Sequence, residues 1–239
     1  MKPKYKRVLL KLSGESLLPE GGAFGVSAES AAKVAGEIRP VVESGVETAV
    51  VIGGGNIFRG APAAASGSIG QAQADSMGML ATVINGLALQ YALESAGMKT
   101  SVMTSIAMQN VAEPFVRRQA LTHLSEGRVC IFAGGTGNPF FSTDTAAALR
   151  ALEIGAEAIL KGTKVDGIYS SDPVKNPDAT RYEKLAYIDV LKAQLKVMDL
   201  TAISMCMDHN LPVIVFNLFV PGNLAKVVSG ANLGTVVYG

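Results

Sequence analysis

Five short apolar runs in this chain all end in small and polar residues. Val8-Leu9-Leu10-Lys11-Leu12 runs into Ser13-Gly14, and Ala49-Val50-Val51-Ile52 runs into Gly53-Gly54-Gly55-Asn56. Val129-Cys130-Ile131-Phe132-Ala133 ends in Gly134-Gly135-Thr136-Gly137-Asn138. Ala158-Ile159-Leu160 ends in Lys161-Gly162-Thr163, and Val213-Ile214-Val215-Phe216 ends in Asn217. Helical patterns alternate with these runs, which predicts βαβ units and a largely parallel sheet. In such a sheet, ligands sit in the crevice at the carboxyl ends of the strands. Here those ends carry glycine backbone, hydroxyls and two lysines, a set suited to a phosphorylated ligand. The pattern reads as an enzyme.

The segments between the runs fill out this plan. Ser13 to Gly25 reads as a glycine-rich loop, and Ser27 as the cap of a helix with Ala31, Val34, Ala35, Ile38 and Val42 on one face. Pro40 is expected to kink or shorten that helix. Residues 60–70 read as loop, and Gln71 to Ala96 as a long helix that is apolar on several faces, hence central to the core or shared with another subunit. Met98 to Met103 predicts a strand, Phe115 to Ser125 a helix ending at Gly127, and Thr143 to Ile154 an alanine-rich helix. Asp166-Gly167 suggests a hairpin turn between Leu160 and Tyr169, Ser170 to Pro177 a loop, and Asp189 through His209 a further helical stretch. One domain over residues 1–239 is the simplest organisation.

Composition narrows the function. The formal net charge of +1 offers no global field for nucleic acid or an acidic membrane, so an anionic substrate must be held by local groups. Only 17% of residues are charged against 49% hydrophobic, a balance that hints at oligomer interfaces. Cys130 and Cys206 sit in apolar settings with no C-x-x-C, as buried thiols of a reducing compartment do. Lys11 and Glu15 interrupt any signal-like apolar start, and no apolar run approaches the roughly 18 residues of a membrane span. The expectation is a cytoplasmic, soluble protein.

No G-x-x-x-x-G-K-[ST] occurs, which excludes a P-loop as a motif, and Phe58 breaks the dinucleotide fingerprint at Gly53-Gly54-Gly55-Asn56. These glycines suit either a tight strand-to-helix turn or phosphate, whose oxygens bare backbone N–H groups approach closely. Lys11, within an apolar strand, is costly to desolvate unless it reaches a partner at the strand end, and Lys161 repeats the arrangement. Thr136-Gly-Asn-Pro-Phe-Phe-Ser-Thr-Asp144 packs hydroxyls, an amide, aromatic rings and a carboxylate into one segment. Ser142, Thr143 or Asp144 also reads as a helix cap, and a helix start is itself favourable to anions. Asp144 could organise the lysines or hold magnesium through water, and Asp199 reads as a helix cap. Asp75 lies early on the long helix, where a carboxylate favours the dipole or, in a functional role, accepts hydrogen bonds from ribose hydroxyls. His123 and His209 have neither strand-end placement nor metal-ligand spacing, and read as structural or surface residues.

Together these segments resemble the bacterial and archaeal type of uridylate (UMP) kinase, in the amino acid kinase superfamily. Lys11-Leu-Ser-Gly-Glu15, Gly53-Gly-Gly-Asn-Ile-Phe-Arg-Gly60, Asp75-Ser-Met-Gly-Met-Leu80, Gly135-Thr-Gly-Asn-Pro-Phe-Phe141, Lys161-Gly-Thr-Lys-Val-Asp-Gly167 and Val197-Met-Asp-Leu-Thr-Ala202 carry the likeness nearly end to end. The glycine motifs are superfamily-wide; the aromatic-bearing segment is the specific one.

The resemblance implies a three-layer αβα sandwich with a mainly parallel central sheet, assembled as a homohexamer. It implies phosphoryl transfer from ATP to UMP, with Mg2+ held mainly through phosphates and water, in pyrimidine nucleotide biosynthesis. Lys11, Leu12, Ser13, Gly14, Gly55 and Arg59 would face the ATP phosphates, and Thr163, Tyr169 and Asp172 its nucleoside. Gly54, Asp75, Thr136, Gly137, Asn138, Pro139, Phe140, Phe141, Ser142 and Thr143 would hold UMP. Lys11, Asp144, Lys161 and Asp199 would be the catalytic set, the two aspartates orienting the lysines. GTP as activator and UTP as inhibitor are further implications. Glu20, Gly21, Gly22, Ala23, Phe24 and Gly25 resemble the loop linked to activation, and Arg128 is a candidate contact. Some members carry basic residues where this chain has Gln90 and Glu94.

Rival readings are a carbamate, aspartate, glutamate or acetylglutamate kinase, an oxyanion-storage protein, or a nucleotide sensor without catalysis. The Thr-Gly-Asn-Pro-Phe-Phe segment opposes the first, and Lys11, Asp144 and Lys161 together oppose the second.

Overall fold

The computed structural model describes residues 2–60, 67–171, 176, 178–195 and 197–239. Strand β1 (Arg7–Leu12) lies at the centre of a nine-stranded sheet. Around it stand β2 (Glu47–Ile52), β3 (Thr100–Thr104), β4 (Glu113–Pro114), β5 (Val129–Ala133), β6 (Ala158–Thr163), β9 (Lys184–Ala186), β10 (Val213–Asn217) and β11 (Thr235–Tyr238). The order is β4-β3-β5-β2-β1-β6-β10-β11-β9, and among the described residues only the β10–β11 pairing of this sheet is antiparallel. All five apolar runs are therefore strands of one sheet, and four of them, β5-β2-β1-β6, stand side by side with β10 next in line.

Alternation along β1 splits the core in two. Val8, Leu10 and Leu12 face one layer, with helices α1 (Ala28–Glu43) and α2 (Gln71–Ser95) and the short α7 (Asn223–Val228). Leu9 faces the other, with α3 (Arg117–Ser125), α4 (Thr143–Ile154), α5 (Tyr187–Lys192) and α6 (Leu200–Asp208). Helices on both faces explain why the central strands are apolar throughout, not alternating. Cys130 and Cys206 are both buried and free, and burial pushes their thiols up to about 12 and about 11.

Several local expectations change. Pro40 neither stops nor shortens α1, which runs on to Glu43 and ends with Ser44 N–H bonded to Pro40 O at 3.2 Å. A proline in the last turn forfeits one hydrogen bond only. Asp166-Gly167 makes no hairpin with β6, because β1 and β10 already occupy both edges of that strand. Instead β7 (Ile168–Tyr169) pairs antiparallel with β8 (Arg181–Tyr182) outside the sheet. The stretch from Asp189 to His209 is two helices, α5 and α6, with a break between them. The helix expected from Phe115 starts at Arg117, since Phe115 N–H bonds Thr104 O at 2.9 Å in extended backbone. Most of the 60–70 loop and much of the Ser170–Pro177 loop lie outside the described residues.

Helix α2 is long and apolar enough to cross a membrane by length and composition, with 44% of its most apolar window buried. It packs on α1, β3, β5 and β2 as a core helix does. One stripe is left exposed: Met77, Leu80, Ile84 and Tyr91.

Candidate active site

The sheet register fixes the first feature of the site. Lys11 and Lys161 are direct partners on adjacent parallel strands, so their side chains leave the sheet on the same face, near its carboxyl edge. Across from them α4 begins, capped by Ser142, whose hydroxyl accepts from Asp144 N at 2.9 Å and Thr145 N at 3.2 Å. Asp144 in the first turn points back at both lysines. Lys11 Nζ lies 2.7 Å from Asp144 Oδ1, and Lys161 Nζ lies 3.1 Å from Oδ2. Lys161 also donates to Val197 O.

The electrostatics follow from this triangle. Burial pushes the Asp144 carboxyl up, but the Lys11 and Lys161 ammonium groups outweigh it and hold the carboxyl below its ordinary value. Burial, then the charge of Lys11, pushes Lys161 below the usual lysine range, with Asp144 opposing. One carboxylate between two ammonium groups leaves a net positive charge facing the strand ends. A cavity of about 230 Å³ opens there, lined by Lys11, Ser13, Lys161, Gly162, Thr163 and Phe219. A larger one, about 880 Å³, lies on the other side of Lys161, lined by Phe140, Ser142, Asp144, Val197 and Asp199 among others.

Asp199 departs from the expected role. Its hydrogen bonds go to Thr145 Oγ1 at 2.9 Å, to the Ser142 hydroxyl and to Ala202 N at 2.9 Å, and not to either lysine. It ties the starts of α4 and α6 together and acts on Lys161 only through space, raising its pKa.

Glycines shape the floor. A Cβ on Gly14 would stand 2.2 Å from Asn56 Oδ1 and 2.6 Å from Gly53 O, and one on Gly54 would stand 2.7 Å from Gly78 O. Both positions require glycine because backbone meets backbone there. Beneath them Asn56 and Asn85, almost wholly buried, exchange a reciprocal amide pair at 2.7 and 3.0 Å. Asn85 also donates to Gly53 O at 2.7 Å, and Asn56 to Gly25 O at 2.9 Å. This pair locks the β1 and β2 loops together. Asn85 is a site residue that sequence reasoning passed over; its signal is an amide on an otherwise apolar stretch of helix.

The Thr136–Thr143 segment is held from α2. Asp75 Oδ2 accepts from Phe140 N at 2.7 Å, and Thr82 Oγ1 accepts from Gly134 N at 2.8 Å. Gly134, Gly135 and Gly137 have positive φ, and so does Phe140 at 70°. A bulky residue in the left-handed region is costly, and such residues cluster at functional sites. The Phe140 and Phe141 rings project into solvent, 73% and 49% exposed.

The remaining expected residues are placed as follows. Arg59 pairs with Glu15 at 2.8 Å on the exposed rim, and Lys164 approaches the same carboxylate at 3.5 Å. Thr163 Oγ1 donates to Phe216 O at 3.2 Å, and Tyr169 OH to Asp166 at 2.5 Å. Asp172 lies outside the described residues. The Glu20–Gly25 loop, following β1, contributes to a second cavity of about 880 Å³ with Leu18, Lys33 and Phe219. Arg128, bonded to Thr100 O at 3.4 Å, sits at the opposite, amino end of the strands, so one chain does not bring it to that loop. His123 is structural, 2.9 Å from Glu113, and His209 is exposed at the end of α6.

Comparison with known proteins agrees with this geometry. The amino acid kinase family profile matches residues 6–217. A solved UMP kinase from Bacillus anthracis is 42% identical, with a TM-score of 0.94, covering 98% of this chain and 96% of that one. A UMP kinase from Ureaplasma parvum is 34% identical, with a TM-score of 0.90, covering 99% and 100%. A uridylate kinase from Archaeoglobus fulgidus is 26% identical, with a TM-score of 0.72, covering 96% and 99%. The chain belongs to the amino acid kinase family. Within that family it groups with the bacterial-type UMP kinases.

Proposed function

We propose that this protein transfers the γ-phosphoryl group of ATP reversibly to UMP, giving ADP and UDP in pyrimidine nucleotide biosynthesis. The observation that carries this reading is the Lys11–Asp144–Lys161 triangle at the strand ends, set beside the glycine floor. Phosphoryl transfer asks the protein for alignment and charge neutralisation more than for covalent chemistry. Two ammonium groups on one face of the sheet, fixed by a shared carboxylate, supply both without a general base. Lys11, Leu12, Ser13, Gly14, Gly55 and Arg59 take the ATP phosphates; Thr163, Tyr169 and Asp172 take its nucleoside. Gly54, Asp75 and the stretch Thr136–Thr143 take UMP.

The residues present fit Mg2+ carried in on the nucleotide. Both oxygens of Asp144 face ammonium groups, and those of Asp199 face helix-start donors, so each reaches a magnesium ion best through water. When bound, the ion neutralises charge on the transferring phosphates.

Residues 1–239 act as one domain, and the exposed stripe Met77, Leu80, Ile84 and Tyr91 supports assembly into a homohexamer. GTP activation and UTP inhibition through the Glu20–Gly25 loop and Arg128, and a cytoplasmic location, complete the reading. A coupled ADP-release assay with ATP and magnesium tests the reaction, offering UMP, CMP, carbamate, aspartate, glutamate and acetylglutamate separately. UMP-dependent turnover well above the others is expected; UMP binding without ADP release would turn the reading to a sensor. Light scattering checks the hexamer.

A further inference from the structure

Arg150 is charged and yet only 5% exposed, two turns along α4 from Asp144, and the transfer chemistry makes no use of it. A buried guanidinium must be paired and hydrogen-bonded to be tolerated. Its partners lead in one direction. The guanidinium carbon lies 3.8 Å from the centre of the Phe115 ring, and that ring meets Phe132 edge-on at 5.3 Å. Glu153 pairs with Nη1, while Nη2 donates to Ser105 Oγ at 2.7 Å. Ser105 Oγ in turn donates to Gly135 O at 2.9 Å, and a Cβ on Gly137 would stand 3.1 Å from Ser105. The chain of contacts ends on the glycine turn that precedes Asn138, Pro139 and Phe140.

We propose that Arg150, acting through Ser105, is a positioning residue for the acceptor loop and sets affinity for the pyrimidine nucleotide acceptor without touching it. Asp75 and Thr82 hold that loop from α2; Arg150 and Ser105 hold it from the opposite side. Because α4 carries both Asp144 and Arg150, one rigid helix sets the distance between the phosphoryl-donor groups and the acceptor loop. Lysine does not replace arginine here, since a planar, stacked guanidinium with a directed N–H is required.

This inference rests on the reading of Thr136–Thr143 as the UMP segment, so the test carries a readout that does not need turnover. Hydrogen exchange of residues 134–141 in the chain without nucleotide is compared among wild type, Ser105→Ala, Arg150→Lys and the double variant. Exchange at 134–141 is expected to speed up at least tenfold in each, with 158–163 unchanged. The KM for UMP is expected to rise about fivefold while the KM for ATP and kcat hold, with the double variant no worse than Arg150→Lys alone. Ser105→Ala removes one oxygen from a half-buried side chain and keeps the test decisive if Arg150→Lys fails to fold. Unchanged loop exchange in Ser105→Ala, or equal rises in both KM values, overturns the proposal. If wild type fails to phosphorylate UMP, the functional reading fails, and the exchange result still decides the brace.

Discussion

The two halves of the proposed site, donor and acceptor, are built by different means. At the donor end, three charged side chains come from two central strands and the first turn of a helix, and they satisfy one another before any ligand arrives. At the acceptor end, a glycine-rich turn is held through its backbone by the side chains of Asp75, Thr82 and Ser105, with two phenylalanine rings left in solvent. The donor half is rigid because sheet register leaves it no alternative. The acceptor half is rigid only as far as its neighbours make it so. Loss of charge should therefore damage the first half in rate, and loss of a brace should damage the second in affinity.

The largest effect expected is at Lys11. Lys11→Ala should remove nearly all turnover, about 1,000-fold or more in kcat, corresponding to roughly 4 kcal/mol of transition-state stabilisation. Far-ultraviolet circular dichroism should remain that of the wild type. Near-normal kcat would break the donor side of the comparison.

Asp144→Asn leaves two ammonium groups facing each other around a neutral amide. Losing one partner of a buried ion pair costs on the order of 3 kcal/mol, which urea unfolding at pH 7 would register. The pH dependence has a definite sign. The folded-state carboxyl sits below its ordinary value, so its stabilisation is present above the unfolded value and disappears as pH falls through the folded one. Asp144→Asn should flatten that acid limb. Lys161 works in the opposite direction, because burial lowers its pKa and its charge costs stability at neutral pH. Activity should accordingly fall at a pH below the ordinary lysine value of 10.5, and Lys161→Arg should push the limb upward in a kcat/KM profile.

On the acceptor side, Asp75→Asn weakens one charge-assisted hydrogen bond to Phe140 N–H, which is worth about 1.5 kcal/mol. The KM for UMP should rise about tenfold by the same principle, with the KM for ATP unchanged. A drop in kcat as large as that of Lys11→Ala would erase the distinction between the halves. The smallest effect concerns the thiols. Cys130 and Cys206 should resist alkylation at pH 8 in the native protein and react fully in guanidinium, as thiols raised by burial do.

Much of the donor half was legible in the sequence because strands carry their information locally. Lys11 interrupts an apolar run three residues before Gly14, Lys161 ends one directly before Gly162, and parallel pairing does the rest. Asp144 was legible as a helix start for the same reason. Less legible were contacts between residues far apart in the chain. The Asn56–Asn85 pair and the Arg150–Ser105–Gly135 relay depend on which helix lies over which loop, and no periodicity encodes that. Asp166-Gly167 misled because a local turn signal says nothing about whether the strand edge is free, and β10 had already taken it. Asp199 is the cap its sequence suggests, but it reaches Lys161 only through space and does not orient it by a hydrogen bond, because its oxygens are spent on Thr145, Ser142 and Ala202.

The pairing of β1 with β6 has a consequence for the birth of the protein. Lys11 is in the first strand synthesised, yet its neighbour in the sheet arrives only after β5 and α4 have been made. A growing chain can cover one edge of its central strand with β2, but the other edge stays open, with an unpartnered lysine, until two thirds of the sequence has emerged. Pairings this distant in sequence slow folding and prolong exposure of apolar edges. The feature that aligns two charges in the finished molecule is the same one that makes the half-made molecule prone to aggregate.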